Sequence, residues 1–231
     1  MSRVVLPELL DVLPPQDAAA LRSRNDLRRL NAWMRHPTLM AGALNSLAPF
    51  SGSQELVELG AGDGHFLLSV ATRLNGPWRG ASAVLVDRLS VMDTQVVPQF
   101  NRLGWQVHAE VQEAAAWLRQ ATPVPSRILI CNLFLHQFQR GQLSEMLRLA
   151  ADAAGAIIAL EPRRSWLPKL CGRLIWLIGC GPVTRHDAHI SIRAGFDGPE
   201  LSALWPDKEN WSLTERPVGL FSHRFIARRK H

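Results

Sequence analysis

Lysine is nearly missing from this chain: only Lys169, Lys208 and Lys230 interrupt a positive charge otherwise carried by arginine. The net charge is still +6, a balance that can favour nucleic acid, anionic lipid or an acidic substrate. Arginine preference also tracks genome composition, so the charge decides nothing alone. Cysteine is scarce as well. Cys131, Cys171 and Cys180 lack metal-ligand spacing, and their odd number argues against a disulfide scaffold, leaving free thiols in a reducing compartment as the expectation. Residues Met1 to Pro7 lack the apolar stretch of a signal peptide, so a cytoplasmic location is expected. The most apolar segment, Trp166–Val183, carries Lys169 and Arg173 and is too short and interrupted to cross a bilayer. It reads as a helix covering a sheet or roofing a greasy pocket, with shallow peripheral membrane contact as the other option.

What is present fits one α/β domain with a short extension. The 231 residues suffice for a full core, and 47% apolar against 20% charged residues excludes disorder. Residues 1–50 read as an N-terminal helical extension or lid. Between Asp17 and Met34 the apolar Leu21, Leu27, Leu30 and Trp33 recur at helical spacing, with Arg22, Arg24, Arg28 and Arg29 around the remaining circumference. His36-Pro37 should end that helix. A second one, over Thr38–Leu47, closes at Pro49. Residues 51–231 form the main domain. Apolar runs at Leu56–Leu59, Ala83–Val86, Val107–Ala109, Ile128–Leu133 and Ala156–Leu160 alternate with helix-like stretches. That alternation predicts right-handed crossovers and a mostly parallel sheet with helices on both faces. Trp211–Arg216 and Phe221–Arg228, around Pro217 to Leu220, predict a closing antiparallel hairpin.

The segment from Glu55 to Leu68 carries the strongest chemical signal. A buried strand runs into Gly60-Ala61-Gly62-Asp63-Gly64 and then into a helix over about Gly64–Leu74. Glycines there let the backbone turn sharply and approach a ligand closely. A dinucleotide fingerprint would need a third glycine at position 65, where His65 stands. The chain reads G-x-G-x-G instead, preceded by Glu58. This resembles the first motif of the class I S-adenosylmethionine (SAM)-dependent methyltransferases, especially small bacterial enzymes that act on small molecules. The resemblance spans residues 54–162 and implies a seven-stranded sheet.

It also implies SAM as methyl donor and S-adenosylhomocysteine (SAH) as product. Glu58 would serve the methionine ammonium of SAM, with Gly60, Ala61, Gly62, Asp63 and Gly64 as its cradle. Asp87, ending the second strand before Arg88, can accept hydrogen bonds from both ribose hydroxyls. Glu110-Val111 matches the adenine-contacting position, with Glu where the family more often has Asp. Asn132 closes the fourth strand, which in the family delivers residues to donor and acceptor. Glu161-Pro162-Arg163 ends the fifth much as in small-molecule methyltransferases.

Methyl transfer from a sulfonium is an in-line displacement, so holding the acceptor close and aligned supplies much of the catalysis. A hydroxyl acceptor also benefits from a base, whereas a carboxylate needs none. Two histidines are candidates for that base. His136 lies just beyond the fourth strand, at the carboxyl edge where open α/β sheets bind ligands. His186 stands in a polar island after the apolar segment, where Asp187 or Thr184 can orient it. No Asn/Asp-Pro-Pro-Tyr/Phe segment follows the fourth strand, which disfavours the adenine and glutamine amino-methyltransferases. No metal site is read. The expected function is methyl transfer to a small or lipid-like organic acceptor, at the oxygen of a phenol, hydroxyl or carboxylate. An RNA methyltransferase, a non-catalytic binding protein of the same fold and, last, a nicotinamide-dependent oxidoreductase are the alternatives. Nucleic acid is disfavoured as partner because the Arg22–Arg29 cluster lacks interleaved aromatics.

Overall fold

The computed structural model describes residues 3–48, 54–74, 76–78, 80–166 and 178–230. Its centre is a seven-stranded sheet in the order β3-β2-β1-β4-β5-β7-β6. β1 (Glu55–Leu59), β2 (Ser82–Asp87), β3 (Gln106–Val111), β4 (Val124–Asn132) and β5 (Ala154–Pro162) run parallel. β7 (Ser222–Arg229) pairs antiparallel with both β5 and β6 (Trp211–Val218), so the predicted hairpin closes the sheet. The order reverses at β1 and β4, and that switch point opens the crevice at the carboxyl edge where such sheets bind ligands.

Side-chain alternation along the strands divides the core in two. Val57, Leu59, Val86, Leu129, Cys131, Ile157, Ala159 and Phe225 face α6 (Ala114–Gln120) and α7 (Arg140–Ala153). Leu56, Leu85, Ile128, Ile130, Ile158, Leu160 and Ile226 face the other layer, with α3 (His36–Asn45), α4 (His65–Ala71) and α5 (Val96–Arg102). Glu58 shares the parity of Leu56, which places a carboxylate in an otherwise apolar layer. Cys131 and Cys180 are buried free thiols, while Cys171 lies outside the described residues. Among the described residues no helix is long and apolar enough to cross a membrane. Positions 167–177 of the apolar Trp166–Val183 segment also fall outside them.

Before the sheet come α1 (Leu9–Val12), α2 (Ala18–Trp33) and α3. The break between α2 and α3 falls at Arg35, which takes a left-handed φ of 58°, and Pro37 occupies the first turn of α3 where its missing N–H is harmless. One expectation needs correcting here. Only part of the apolar stripe predicted for α2 faces inward: Leu30 is buried and Leu27 lines the cavity beneath, but Leu21 and Trp33 are 46% and 51% exposed, and Ala20, Ser23 and Asp26 complete the buried face. The reason is Asp26, whose carboxylate accepts from Gly181 N (2.7 Å) and Thr184 Oγ1 (2.9 Å). It thereby caps the start of α8 (Pro182–Ala194) and draws α2 against it. The polar island around His186 lies on this helix.

Candidate donor and acceptor site

One cavity of about 610 Å³ opens at the carboxyl edge. Its floor is the loop after β1. Gly60, Gly62 and Gly64 all have positive φ, at 73°, 56° and 80°. A Cβ on Gly60 would collide with the Phe134 ring and one on Gly64 with the Met92 thioether, whereas one on Gly62 would meet nothing within 4 Å. The outer glycines are therefore required by packing, and the middle one leaves its space to the cavity. Gly60 and Ala61 anchor the turn by donating to Val86 O of the neighbouring strand at 2.9 and 3.0 Å.

Around this floor stand Glu58, Asp63 and Asp87. Glu58 is buried, lines the cavity, and its Oε2 has no hydrogen-bond partner. Burial, then the charge of Asp63 and, further down, that of Asp87 push its carboxyl well above the usual carboxylate range. An orphaned buried oxygen of this kind costs about 1–3 kcal/mol, a cost that a cationic ligand would offset. Asp87 accepts from Gly62 N and Leu89 N, both at 2.8 Å, one with each oxygen. Asp63 accepts from Arg28 Nε at 2.8 Å, so α2 is tied directly to the glycine loop. These groups fit SAM: a cation acceptor, an open glycine cradle and a strand-end acid lie together. Arg88 lines the cavity too, but its guanidinium is spent on Asp11 at 3.0 Å.

Glu110 and Val111 are not brought to the cavity. Glu110 pairs instead with His108 at 3.4 Å, and Val111 is exposed. Gln112, Glu113 and Ala114, the next residues along, line the cavity in their place. β3 runs through Val111, two residues past the predicted end, and this carries the crossover point forward.

The opposite wall is built from elements far apart in the chain. His136 is buried, with Nδ1 2.8 Å from Glu161 Oε2 and Nε2 3.1 Å from Glu8 Oε1. Glu161 also accepts the backbone N–H groups of Phe134, Leu135 and His136 at 3.1, 2.8 and 3.2 Å. Burial alone lowers the imidazole pKa, but the Glu161 and Glu8 carboxylates outweigh it and hold His136 at about 9. It is an imidazolium at neutral pH, with both nitrogens engaged and no lone pair to act as a base. His186 is half exposed, bonds Asp187 Oδ1 at 3.0 Å and is absent from the cavity lining, while Thr184 is turned to Ser23 and Asp26. Asn132 does line the cavity, followed by Leu133 at a strained φ of 53°.

Sequence reasoning missed much of this wall. Glu8 reaches it because the extended N-terminal segment is strapped across α8. Val4 N donates to Arg193 O (3.2 Å), Arg3 to Ala194 O and His136 O (both 2.7 Å), and Leu9 N and Leu10 N to Asp187 (2.8 and 2.9 Å). A second buried histidine, His36, also stands in this wall. Its Nδ1 lies 2.7 Å from Asn132 Oδ1 and its Nε2 2.6 Å from Ser222 Oγ. The apolar remainder includes Leu27, Met34, Phe134, Phe138, Ile192 and the stacked pair Trp33–Phe221, whose centroids are 4.8 Å apart. The only available signal was the face shared by positions 24, 27, 28 and 31 of α2.

No family model and no curated protein matches this sequence. Solved structures do. The plantazolicin methyltransferase BpumL in complex with SAH aligns with a TM-score of 0.66 at 12% identity, over 93% of this chain and 92% of that one. An O-methyltransferase family protein from Burkholderia thailandensis aligns at 0.59 and 16%, over 94% of this chain. This chain spans only 61% of the length of that protein. The small RNA methyltransferase HEN1 aligns at 0.59 and 15%, over 85% of this chain and 25% of that one. This is the class I SAM-dependent methyltransferase fold. Within it the seven-stranded sheet with its antiparallel β7 is the one the sequence resemblance implied.

Proposed function

We propose that this protein is a SAM-dependent methyltransferase acting on a small or lipid-like organic acceptor, with transfer to oxygen. The observation that carries the donor half is Glu58: a buried, unpartnered carboxylate oxygen beside an open glycine cradle. It would take the methionine ammonium, Asp87 the ribose hydroxyls, and Gln112 and Glu113 the adenine edge, in place of Glu110 and Val111. SAM supplies a methyl group on a sulfonium, whose C–S electrons stay on sulfur as the acceptor oxygen forms its new bond to carbon.

What the protein's own residues do follows from the far wall. His136 holds a proton rather than taking one, so the site suits an oxygen that ionises readily, an acidic phenol or a carboxylic acid, for which no base is needed. Residues 1–50 act as the lid over residues 51–231. They supply Glu8, Leu27, Arg28, Asn31 and Met34 to the cavity and shield the reaction from water. A cover of this kind favours a compact acceptor, since a folded RNA would have to displace it.

Calorimetric titration with SAH tests the donor, and transfer of labelled methyl to a lipid extract or to total RNA tests the acceptor. Failure to bind SAH at high micromolar concentration would end the methyltransferase reading; label in RNA alone would replace the small-molecule acceptor.

A further inference from the structure

Four polar side chains from three distant parts of the chain form a single hydrogen-bonded row on the α3 face of the sheet edge. Ser222 begins β7, His36 begins α3, Asn132 ends β4 and Asn31 lies in the last turns of α2. His36 is fully buried, and burial lowers its pKa to about 4 against the opposing hydrogen bond to Asn132 and the charge of Glu161. Being neutral, it carries one N–H and one lone pair, and its two neighbours fix which is which.

Asn132 donates through Nδ2 to Asn31 Oδ1 at 3.1 Å, so its Oδ1 is the acceptor that faces His36 Nδ1 at 2.7 Å. His36 therefore donates from Nδ1, and its Nε2 accepts the Ser222 hydroxyl at 2.6 Å. Ser222, His36 and Asn132 each give one hydrogen bond toward Asn31. The row ends at the Asn31 amide: its oxygen is taken, its Nδ2 has no partner among the described residues, and the residue lines the cavity. Aligned hydrogen bonds polarise one another in such a row.

Resting on the methyltransferase reading above, we propose that the Asn31 amide is the acceptor subsite. In this role it donates to an oxygen lone pair of the substrate, and Ser222, His36 and Asn132 are positioning residues that fix its polarity. A donor at this point favours a phenolate, carboxylate or enolic oxygen. It disfavours an ammonium or any group that itself must donate. The acceptor would thus be recognised as an anion or a carbonyl-bearing compound.

The test uses the full-length protein saturated with SAH and 4-nitrophenol as a chromogenic probe. A donor subsite lowers the apparent pKa of the bound phenol, and we expect about one unit, a tenfold change in its ionisation ratio. Asn31→Asp keeps the oxygen that Asn132 bonds and replaces only the donor by a negative charge, so the shift should vanish or reverse. Asn31→Leu should remove it without reversal, and His36→Phe should weaken it while 4-nitrophenol still binds. Long-range 1H–15N spectra of His36 should show the Nδ1–H tautomer, a signature that a merely structural histidine need not have. An unshifted probe in the SAH-loaded wild type overturns the proposal, as does an equal shift in Asn31→Asp or an Nε2–H tautomer. If SAH itself does not bind, the methyltransferase reading falls, and this inference falls with it.

Discussion

The two faces of the sheet edge solve the same problem in opposite ways. On the α7 face, His136 sits between Glu161 and Glu8 as a charged cluster. On the α3 face, His36 sits between Ser222 and Asn132 in a row with no formal charge. Both histidines are buried in the same cavity wall, yet one is held at about 9 and the other at about 4. The difference lies in their partners: carboxylates stabilise the imidazolium, whereas an amide and a hydroxyl cannot repay its desolvation. The ionised cluster is suited to clamping a separate segment of chain, and the neutral row to orienting a hydrogen bond. Glu58 is a third case, on the face of the neutral row but with one oxygen left unpartnered.

The largest expected effect comes from removing the centre of the ionised cluster. Glu161→Ala would leave His136 facing Glu8 alone and strand three backbone N–H groups. Breaking a buried pair in this way typically costs about 3–5 kcal/mol, which at about 2–4 °C per kcal/mol is a fall in Tm of roughly 6–20 °C. A thermal melt within 2 °C of wild type, roughly the effect of under 1 kcal/mol, would mean the cluster holds nothing together.

Glu58 should separate binding from stability. Glu58→Ala is expected to weaken SAH by at least tenfold, about 1.4 kcal/mol, measured by calorimetry. Glu58→Gln should weaken it too while raising the melting temperature of the free protein. The sign follows from its raised carboxyl pKa. Stability tied to a raised group is present below its unfolded value and lost as pH rises through the folded one, so the ionised wild type suffers more as pH increases. A Glu58→Gln protein that melts no higher than wild type at pH 8 would show that the site stores no such penalty.

The clamp itself should respond to alkali. The raised value of His136 contributes stability that is complete below about 6.5, its ordinary range, and is lost as pH rises through about 9. Hydrogen exchange of residues 3–12 should therefore accelerate between pH 7 and pH 9.5 beyond the intrinsic pH dependence, and Asp187→Ala should loosen the same segment at pH 7. Equal protection at both pH values would show that the strap is held by Arg3 and Asp187 without the histidine.

How much of this was legible beforehand divides along the same lines. That Glu58, the glycines to Gly64 and Asp87 meet at one sheet edge could be read because they follow one another in the chain, from one strand end to the next. The local rules of strand, turn and helix suffice to bring such neighbours together. The far wall could not be read that way. Glu8 meets His136 across 128 residues, and His36 meets Ser222 across 186. No local pattern encodes those meetings, and a lone histidine before a proline reads only as a helix end. Glu110 was misplaced by a strand that runs two residues further than its apolar run. Asp26 shifted the expected face of α2, keeping Leu30 buried but turning Leu21 outward, because a buried helix cap outweighs an exposed leucine.

The smallest expected effect sharpens the contrast most. His36 has its folded value lowered to about 4, so the stability it contributes is fully present above its ordinary value of about 6.5 and lost only as pH falls toward 4. Across the interval from pH 7 to 9.5, in which the His136 clamp loosens, the neutral row should not move at all. The imidazole resonances of the two histidines report this directly: His136 should titrate through about 9, and His36 should stay flat until the acid limb. Movement of both together would mean the two faces are coupled through Asn132, Leu133 and Phe134. The acceptor subsite would then open and close with the lid instead of standing ready beneath it.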